Sequence, residues 1–269
     1  MRDQEHRVDQ QQTVNASRIS SALQRAAPLF LWPLVLAPAV AGFLYVRAFG
    51  VSVVFSDAWS MVRLFEGWHS GTLSVSELWA PHNEHRMLFP KGVELLLGLL
   101  TKYDNVAEMY LIEFCFLVTL VVLFCAFAET VTEGARLRVL SPWLLVCFIP
   151  ISLLVFSLRQ YENMLLGFQI NFAFTQTFGV LALFLLRLLT RGGPSGGLRD
   201  GPGDGLERLQ FFAVAGALVC ATVAAFSTVQ GLLVWPAGLL GLFLSPARRR
   251  AKGISLVVWA LAGLFEWVA

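Results

Sequence analysis

The chain has 269 residues, of which 57% are hydrophobic and only 14% are charged, and its net charge is +2. Soluble domains carry about 25% charged residues, so this composition excludes a soluble globular domain and predicts an all-α integral membrane protein. The basic residues are spread over separate segments instead of forming one basic surface, which argues against a nucleic-acid partner.

Apolar segments recur along the chain and predict a polytopic helix bundle with about seven spans. A helix needs about 20 apolar residues to cross a bilayer. The apolar segments lie at 28–49, 106–128, 139–158, 169–189, 211–229, 232–244 and 254–269. The apolar core of the first one is too long for a cleavable signal peptide.

The segments between the spans define the expected domains. Residues 1–27 are predicted to be a disordered cytoplasmic tail, and 28–190 the first part of the bundle, with an external loop at 51–105. The Gly- and Pro-rich stretch 191–209 is predicted to be a flexible cytoplasmic linker. Further spans follow in 210–269, and because the chain stops within an apolar run we expect an N-terminal fragment.

The distribution of basic residues predicts the orientation. With a cytoplasmic N terminus, fourteen of the 20 Lys and Arg residues lie inside, as the positive-inside rule requires. The protein is therefore predicted to be a multi-pass protein of the inner (plasma) membrane. The Asp57–Asp104 loop and the Arg159–Gly167 turn then share the external face.

The external loop has its own helical pattern. Apolar residues recur with helical spacing over Asp57–Trp68 and again over Leu88–Leu100, which predicts two interfacial amphipathic helices. Ser74 and Glu77 have the spacing of a capping box, which predicts a third, short helix in the stretch between the two interfacial helices. Pro81 ends this short helix.

Ionisable and amide residues cluster in two external segments. The first comprises Asp57 together with the His82-Asn83-Glu84-His85-Arg86 run, and the second is Arg159-Gln160-Tyr161-Glu162-Asn163. The first span is followed by an acidic residue, an interfacial helix, a polar turn, a second interfacial helix and the next span. This order is similar to that of the type-C glycosyltransferases. The resemblance covers about residues 28–245 and rests on Phe55-Ser56-Asp57-Ala58-Trp59 and these two runs.

The resemblance implies transfer of a sugar from a polyprenyl-phosphate donor on the external face. It implies that Asp57 is the catalytic base or positions the acceptor. The partners would then be the lipid-linked donor, membrane lipid and an acceptor that is a glycan, a lipid or a protein.

The chemistry of such a transfer assigns roles to the remaining residues. A carboxylate must take the proton from the attacking hydroxyl, and Asp57, Glu84 or Glu162 could do so. Cationic groups must stabilise the departing phosphate; His82, His85, Arg86 and Arg159 could do this, with Asn83, Gln160 and Asn163 as further substrate contacts. A divalent cation could serve instead, although the spacing of His82 and His85 is not that of a His-Glu-x-x-His metal site and no metal ligands are predicted.

Each candidate also has a structural explanation. Asp57 could only cap a helix, His82–Arg86 could be a solvated turn, and Arg159 could pair with Glu162. The fourth span has a polar face formed by Gln169 and Gln176, with Asn171 and Thr175 beside it. This face could line the site or form hydrogen bonds to neighbouring helices.

Two other functions remain open. A transporter or lipid-translocating protein would use the same polar groups as an entry vestibule and would carry ionisable residues near the bilayer midplane. An inactive truncated membrane protein is the third alternative.

Overall fold

The computed structural model describes residues 27–131, 142–189, 204–245 and 249–268. Within these ranges the chain is all-helical and has no strand, as predicted. The α-helices are α1 (Ala27–Phe49), α2 (Val62–Ser70), α3 (Val75–Trp79), α4 (Leu88–Thr101), α5 (Asn105–Val131), α6 (Pro142–Val155), α7 (Tyr161–Leu165), α8 (Ile170–Leu189), α9 (Asp204–Ala225), α10 (Val234–Leu244) and α11 (Arg249–Val268). Short 3₁₀ turns occupy Ser56–Met61, Leu158–Gln160, Gly167–Gln169 and Val229–Leu233.

Four helical segments of the described chain are long and apolar enough to cross a membrane. They are Ala27–Phe49, Asn105–Val131, Pro142–Leu165 and Gly167–Leu188. The predicted count of about seven spans is not established, because the other apolar helical stretches of the described chain, Phe211–Ala225, Val229–Leu244 and Gly253–Trp267, are shorter. With 11 residues, α10 is only about 17 Å long, against a hydrocarbon core of about 30 Å.

Residues 1–26 of the tail predicted at 1–27 and most of the 191–209 linker lie outside the described residues, and Ala27 begins α1. The described helix α9 begins at Asp204, so it starts within the segment assigned to the linker.

The chain divides into two compact units. The first draws on the described parts of Met1–Ala41 and Phe124–Ser157. In it the hydroxyl of Ser152 donates to the carbonyl oxygen of Val35 over 2.6 Å. The ring of Phe124 packs against Phe148 at 5.0 Å between centroids, so aromatic contacts and this one buried hydrogen bond connect the helices of the unit.

The second unit comprises Gly42–Leu123 and Leu158–Ala269 and contains every predicted site residue. In it α8 packs extensively against α9, and alanines at 182, 217, 221 and 224 are fully buried. Small side chains allow helix backbones to approach closely, as at membrane helix interfaces. The hydroxyls of Thr119 and Thr177 bond to each other across α5 and α8 at 2.9 Å.

The loop between α1 and α5 folds over a small apolar core of its own. Buried side chains from the Ser56–Met61 turn, α2, α4 with the residue before it, and the Gly167–Gln169 turn form this core: Met61, Leu64, Phe65, Met87, Leu95 and Phe168. Helices form in both segments predicted to be interfacial, and the Ser74 backbone N–H donates to the Glu77 carboxylate over 3.1 Å, as the capping pattern predicted. Phe168 therefore ties the loop to the start of α8.

Candidate functional site

The polar run after Pro81 forms a tight two-residue turn. His82 N–H donates to the His85 carbonyl oxygen over 2.8 Å, and His85 N–H returns a bond of 2.9 Å. Asn83 has a φ of 52°, in the left-handed region that Asn tolerates better than most residues. The turn therefore exposes Asn83 and Glu84 at its tip and fixes the two histidines at its base.

His82 brings the turn to Asp57. Its Nε2 atom lies 3.8 Å from the Asp57 Oδ2 atom, and its ring packs on Phe168 at 5.2 Å. The His82 side chain is 19% exposed and the Asp57 side chain 59%. The distance is too long for a hydrogen bond, and Nε2 makes no hydrogen bond within the described structure. A small movement of either side chain would bring the Nε2 and Oδ2 atoms within hydrogen-bond distance. The two groups therefore form an acid–imidazole pair whose carboxylate is open to solvent.

The capping explanation of Asp57 finds no support in the geometry. The N-cap of the Ser56–Met61 turn is Phe55, and the turn has no side-chain capping hydrogen bond at its start. Ser60 bonds to the backbone oxygen of Asp57, not to its carboxylate. The carboxylate is thus left to face His82.

His85 and Arg86 are held by apolar and aromatic neighbours. The His85 Nδ1 atom accepts a hydrogen bond of 3.2 Å from Val229 N–H, which requires that nitrogen to be unprotonated. The Arg86 guanidinium lies 5.2 Å from the centroid of the Trp79 ring, in cation–π geometry. Trp79 packs in turn on Phe226. Both side chains anchor the turn, and both remain partly exposed.

The second predicted cluster occupies the Leu158–Gln160 turn and α7. Arg159 and Glu162 are exposed, whereas Gln160 and Asn163 are half-buried. Glu162 accepts a hydrogen bond of 3.1 Å from the Tyr161 hydroxyl. Within the described structure Arg159 and Glu162 do not form an ion pair, so the structural alternative for these two residues is not supported.

The Gly167–Gln169 turn lies next to both clusters. It is contacted by the Ser56–Met61 turn that carries Asp57 and by α7. The structure thus brings Asp57 and His82 together directly, and the Gly167–Gln169 turn connects the Asp57 turn to the second cluster.

Two charged residues that the sequence did not single out lie beneath the turn. Lys91 is 7% exposed and Glu94 2% exposed, one helical turn apart on α4. The Lys91 ammonium donates to the Ala80 carbonyl oxygen over 2.6 Å, at the end of α3. The Oε1 atom of Glu94 has no hydrogen-bond partner within the described structure.

Burial sets the ionisation of this pair. It raises the pKa of Glu94 well above its ordinary value; the charge of Glu108 adds to the increase and Lys91 opposes it. Burial also lowers the pKa of Lys91, and the Glu94 carboxylate partly offsets that change. The only sequence signal was the i, i+3 spacing of opposite charges, which is equally typical of a solvated helix face.

The polar face of the fourth span serves mainly to connect helices. Thr175 bonds to Thr228 over 2.9 Å, and Asn171 is buried with its amide 3.8 Å from the Met87 sulfur. Gln176 is exposed, and the Gln169 side-chain oxygen is buried without a hydrogen-bond partner in the described structure. Hydrogen bonding to the segment that follows α9 therefore accounts for Thr175, whereas Gln169 has no such explanation.

Among the described residues, no group of three or more His, Cys, Asp or Glu side chains is arranged to hold a metal ion.

Fold and site together define an all-helical protein with apolar helices of membrane-spanning length and a polar turn that pairs Asp57 with His82. The chain matches no protein-family model, and neither characterised proteins nor solved structures give a significant match.

Proposed function

We propose that this protein is a membrane glycosyltransferase that uses a polyprenyl-phosphate sugar donor at the external face. The observation that carries the proposal is the Asp57–His82 pair, in which an exposed carboxylate lies 3.8 Å from an imidazole. In the proposed reaction Asp57 accepts the proton of the acceptor hydroxyl. The resulting sugar–oxygen bond replaces the bond from the anomeric carbon to the phosphate.

The proposed phosphate contacts are the cationic side chains around the turn. His82, when protonated, and Arg86 flank the exposed tip formed by Asn83 and Glu84. Positive groups aimed at a leaving phosphate stabilise the charge that develops on it. In the proposed site Arg159, Gln160, Glu162 and Asn163 contribute from the far side of the Gly167–Gln169 turn.

The membrane arrangement is part of the same proposal. We place the N terminus in the cytoplasm and the Asp57–Arg86 loop outside, with the four long apolar segments and the shorter apolar stretches of α9, α10 and α11 giving about seven spans. A donor with a long polyprenyl chain is confined to the bilayer, so a site on a loop between α1 and α5 would meet its phosphate at the membrane surface.

The test is donor cleavage by the purified full chain in proteoliposomes. Release of polyprenyl phosphate from a labelled lipid-linked sugar reports transfer to any acceptor, including water. Asp57→Asn is expected to lower the rate by about 10²–10⁴-fold, the usual contribution of a general base. The swap keeps the size of the side chain but removes its basicity.

Glu66→Gln is the matched control, because Glu66 is an exposed carboxylate of α2 in the same loop. It is expected to leave the rate unchanged. An Asp57→Asn protein that folds normally and keeps more than about half of the wild-type rate would refute the assignment of the base.

One observation favours transport as a second candidate. Glu113 lies in α5, is 0% exposed, and neither of its carboxylate oxygens has a hydrogen-bond partner within the described structure. Ionisable residues inside membrane spans often mark ion or substrate pathways. Proteoliposome uptake or lipid scrambling that is lost in Glu113→Gln but retained in Asp57→Asn would select the transporter.

A further inference from the structure

Helix α4 turns its charged side inward and its apolar side outward. Lys91 and Glu94 are buried, whereas Leu96 and Leu100, which lie four positions apart and so share a face, are 55% and 72% exposed. The residues around these two leucines on the outward face also lack polar side chains: Phe89, Gly92, Val93 and Leu97. A surface helix of a water-soluble protein has the opposite arrangement, with its charges outside.

Helix α2 of the same loop has the ordinary arrangement. Its Leu64 and Phe65 side chains pack in the core of the loop. Its outward face carries Arg63, Glu66 and His69, all of which are exposed. The two segments that the sequence predicted to be equivalent interfacial helices therefore present different surfaces, one polar and one apolar.

The apolar face of α4 continues onto the segment that follows α1. The Ser52 hydroxyl donates to the Tyr103 carbonyl oxygen over 3.4 Å, and the Asn105 side-chain amide donates to the Val53 carbonyl oxygen over 2.8 Å. These bonds hold the segment beside the connection between α4 and α5. Three of its side chains are exposed and apolar: Val51, Val53 and Phe55.

The position of this surface selects its partner. Large exposed apolar patches mark protein or membrane contacts. The segment follows α1 directly, and the end of α4 leads directly into α5, so the patch lies between two helices that are long and apolar enough to cross a membrane. The apolar surface of such helices faces lipid, and the patch extends that surface into the loop.

We propose that the outward face of α4, together with Val51, Val53 and Phe55, is a lipid-contacting surface that inserts into the bilayer, whereas α2 faces water. Phe55 immediately precedes the 3₁₀ turn that carries Asp57, so the insertion would hold this turn at the membrane surface. The assignment depends neither on the proposed transferase activity nor on the side of the membrane that the loop occupies.

The experiment is spin labelling of the full chain in phosphatidylcholine vesicles. Single cysteines replace Val53, Leu96 or Leu100 in a chain whose four native cysteines are replaced by serine or alanine. Each label is attached at an exposed position, so the packed interior is left intact. Relaxation by oxygen, which concentrates in hydrocarbon, is compared with relaxation by a water-soluble nickel chelate.

The matched controls are Glu66→Cys and His69→Cys on the outward face of α2. Oxygen should relax the labels at Val53, Leu96 and Leu100 more strongly than the nickel chelate does. The order of the two reagents should reverse at both control positions, because α2 is expected to lie in water.

Three outcomes would overturn the proposal. The first is stronger relaxation by the nickel chelate at Val53, Leu96 or Leu100, which would place that side chain in water. The second is weak relaxation by both reagents, which would mean that protein covers the surface; spectral narrowing on dilution with unlabelled chain would then identify a second copy. The third is an excess of oxygen relaxation at Glu66 and His69 as well, which would remove the difference between the two helices.

Discussion

Gly167 shows how a single position shapes the surroundings of the site. A Cβ atom built there would collide with the Glu108 carboxylate and would lie 2.8 Å from the Glu108 Cβ atom. The residue sits in the 3₁₀ turn that contacts both the Asp57 turn and α7. The requirement for glycine is therefore one of space.

This close approach gives a prediction at the residue scale. Gly167→Ala should destabilise the protein by about 1–3 kcal/mol, the usual cost of overpacking a filled interior. Gly92→Ala is the matched control, because a Cβ atom at Gly92 has no neighbour within 4 Å and the residue lies inside α4. It should stabilise by about 0.5–1 kcal/mol through helix propensity.

Thermal unfolding in detergent, followed by circular dichroism, measures both variants. The two midpoints should move in opposite directions from that of the wild type. Equal midpoints for Gly167→Ala and the wild type would show that Glu108 can move aside at no cost.

The sequence predicted some of the site and could not predict the rest. Asp57 and His82 stood out because ionisable residues are rare in so apolar a chain, and the structure places them 3.8 Å apart. Phe168 was missed because an aromatic residue at the start of a span looks like ordinary packing. Its role as the anchor of the loop depends on contacts far apart in sequence, with Met61 and Leu95 among others.

At the scale of elements, α4 shows a difference between pattern and environment. Its apolar period predicted a helix with one solvated face, and the helix forms at Leu88–Thr101. Lys91 and Glu94 would belong to such a face, yet both are buried. The end of α3 supplies a carbonyl for Lys91, so tertiary packing covers a face that local spacing alone marks as exposed.

The buried Glu94 carboxyl predicts a pH dependence of stability. Its pKa in the folded state lies well above 4.5. At a pH between 4.5 and the folded-state pKa, the carboxyl is protonated in the folded chain and ionised in the unfolded chain, so folding takes up a proton. The contribution of Glu94 to stability is therefore complete below about pH 4.5 and is lost as the pH rises towards the folded-state pKa. The loss is at most about 1.4 kcal/mol per pH unit for one proton.

Glu94→Gln tests this dependence, because glutamine resembles the protonated carboxyl and does not titrate. The melting midpoint of the variant should exceed that of the wild type by an amount that grows between pH 5 and pH 8. Glu66→Gln, at an exposed position of α2, should show no such trend. A difference between Glu94→Gln and the wild type that stays constant with pH would contradict a raised pKa.

At the scale of the whole molecule, composition predicted the class and could not fix the number of spans. Within the described chain, four helical segments are both long and apolar enough to cross a bilayer. The segments at 211–229 and 232–244 were predicted to be separate spans, but helix α9 ends at Ala225 and α10 begins at Val234. Apolarity alone does not reveal where helices start, and a short apolar helix can be either a span or a buried segment.

The proposed topology makes the last prediction. Single cysteines at Ser70 and Ser195 are placed in a chain whose four native cysteines are replaced by serine or alanine. Ser70 ends α2 and is exposed, whereas Ser195 lies outside the described residues and is chosen from the sequence. If most basic residues face the cytoplasm, a membrane-impermeant maleimide should label Ser70→Cys in intact cells and Ser195→Cys only after permeabilisation.

The reverse labelling pattern would invert the proposed topology and move the Asp57–His82 pair to the cytoplasmic face, away from an external donor. In the proposed frame Ser70 follows the first span and Ser195 follows the fourth, so three spans separate them and the two positions lie on opposite faces. Equal labelling of both positions in intact cells would place them on the same face and would contradict this arrangement.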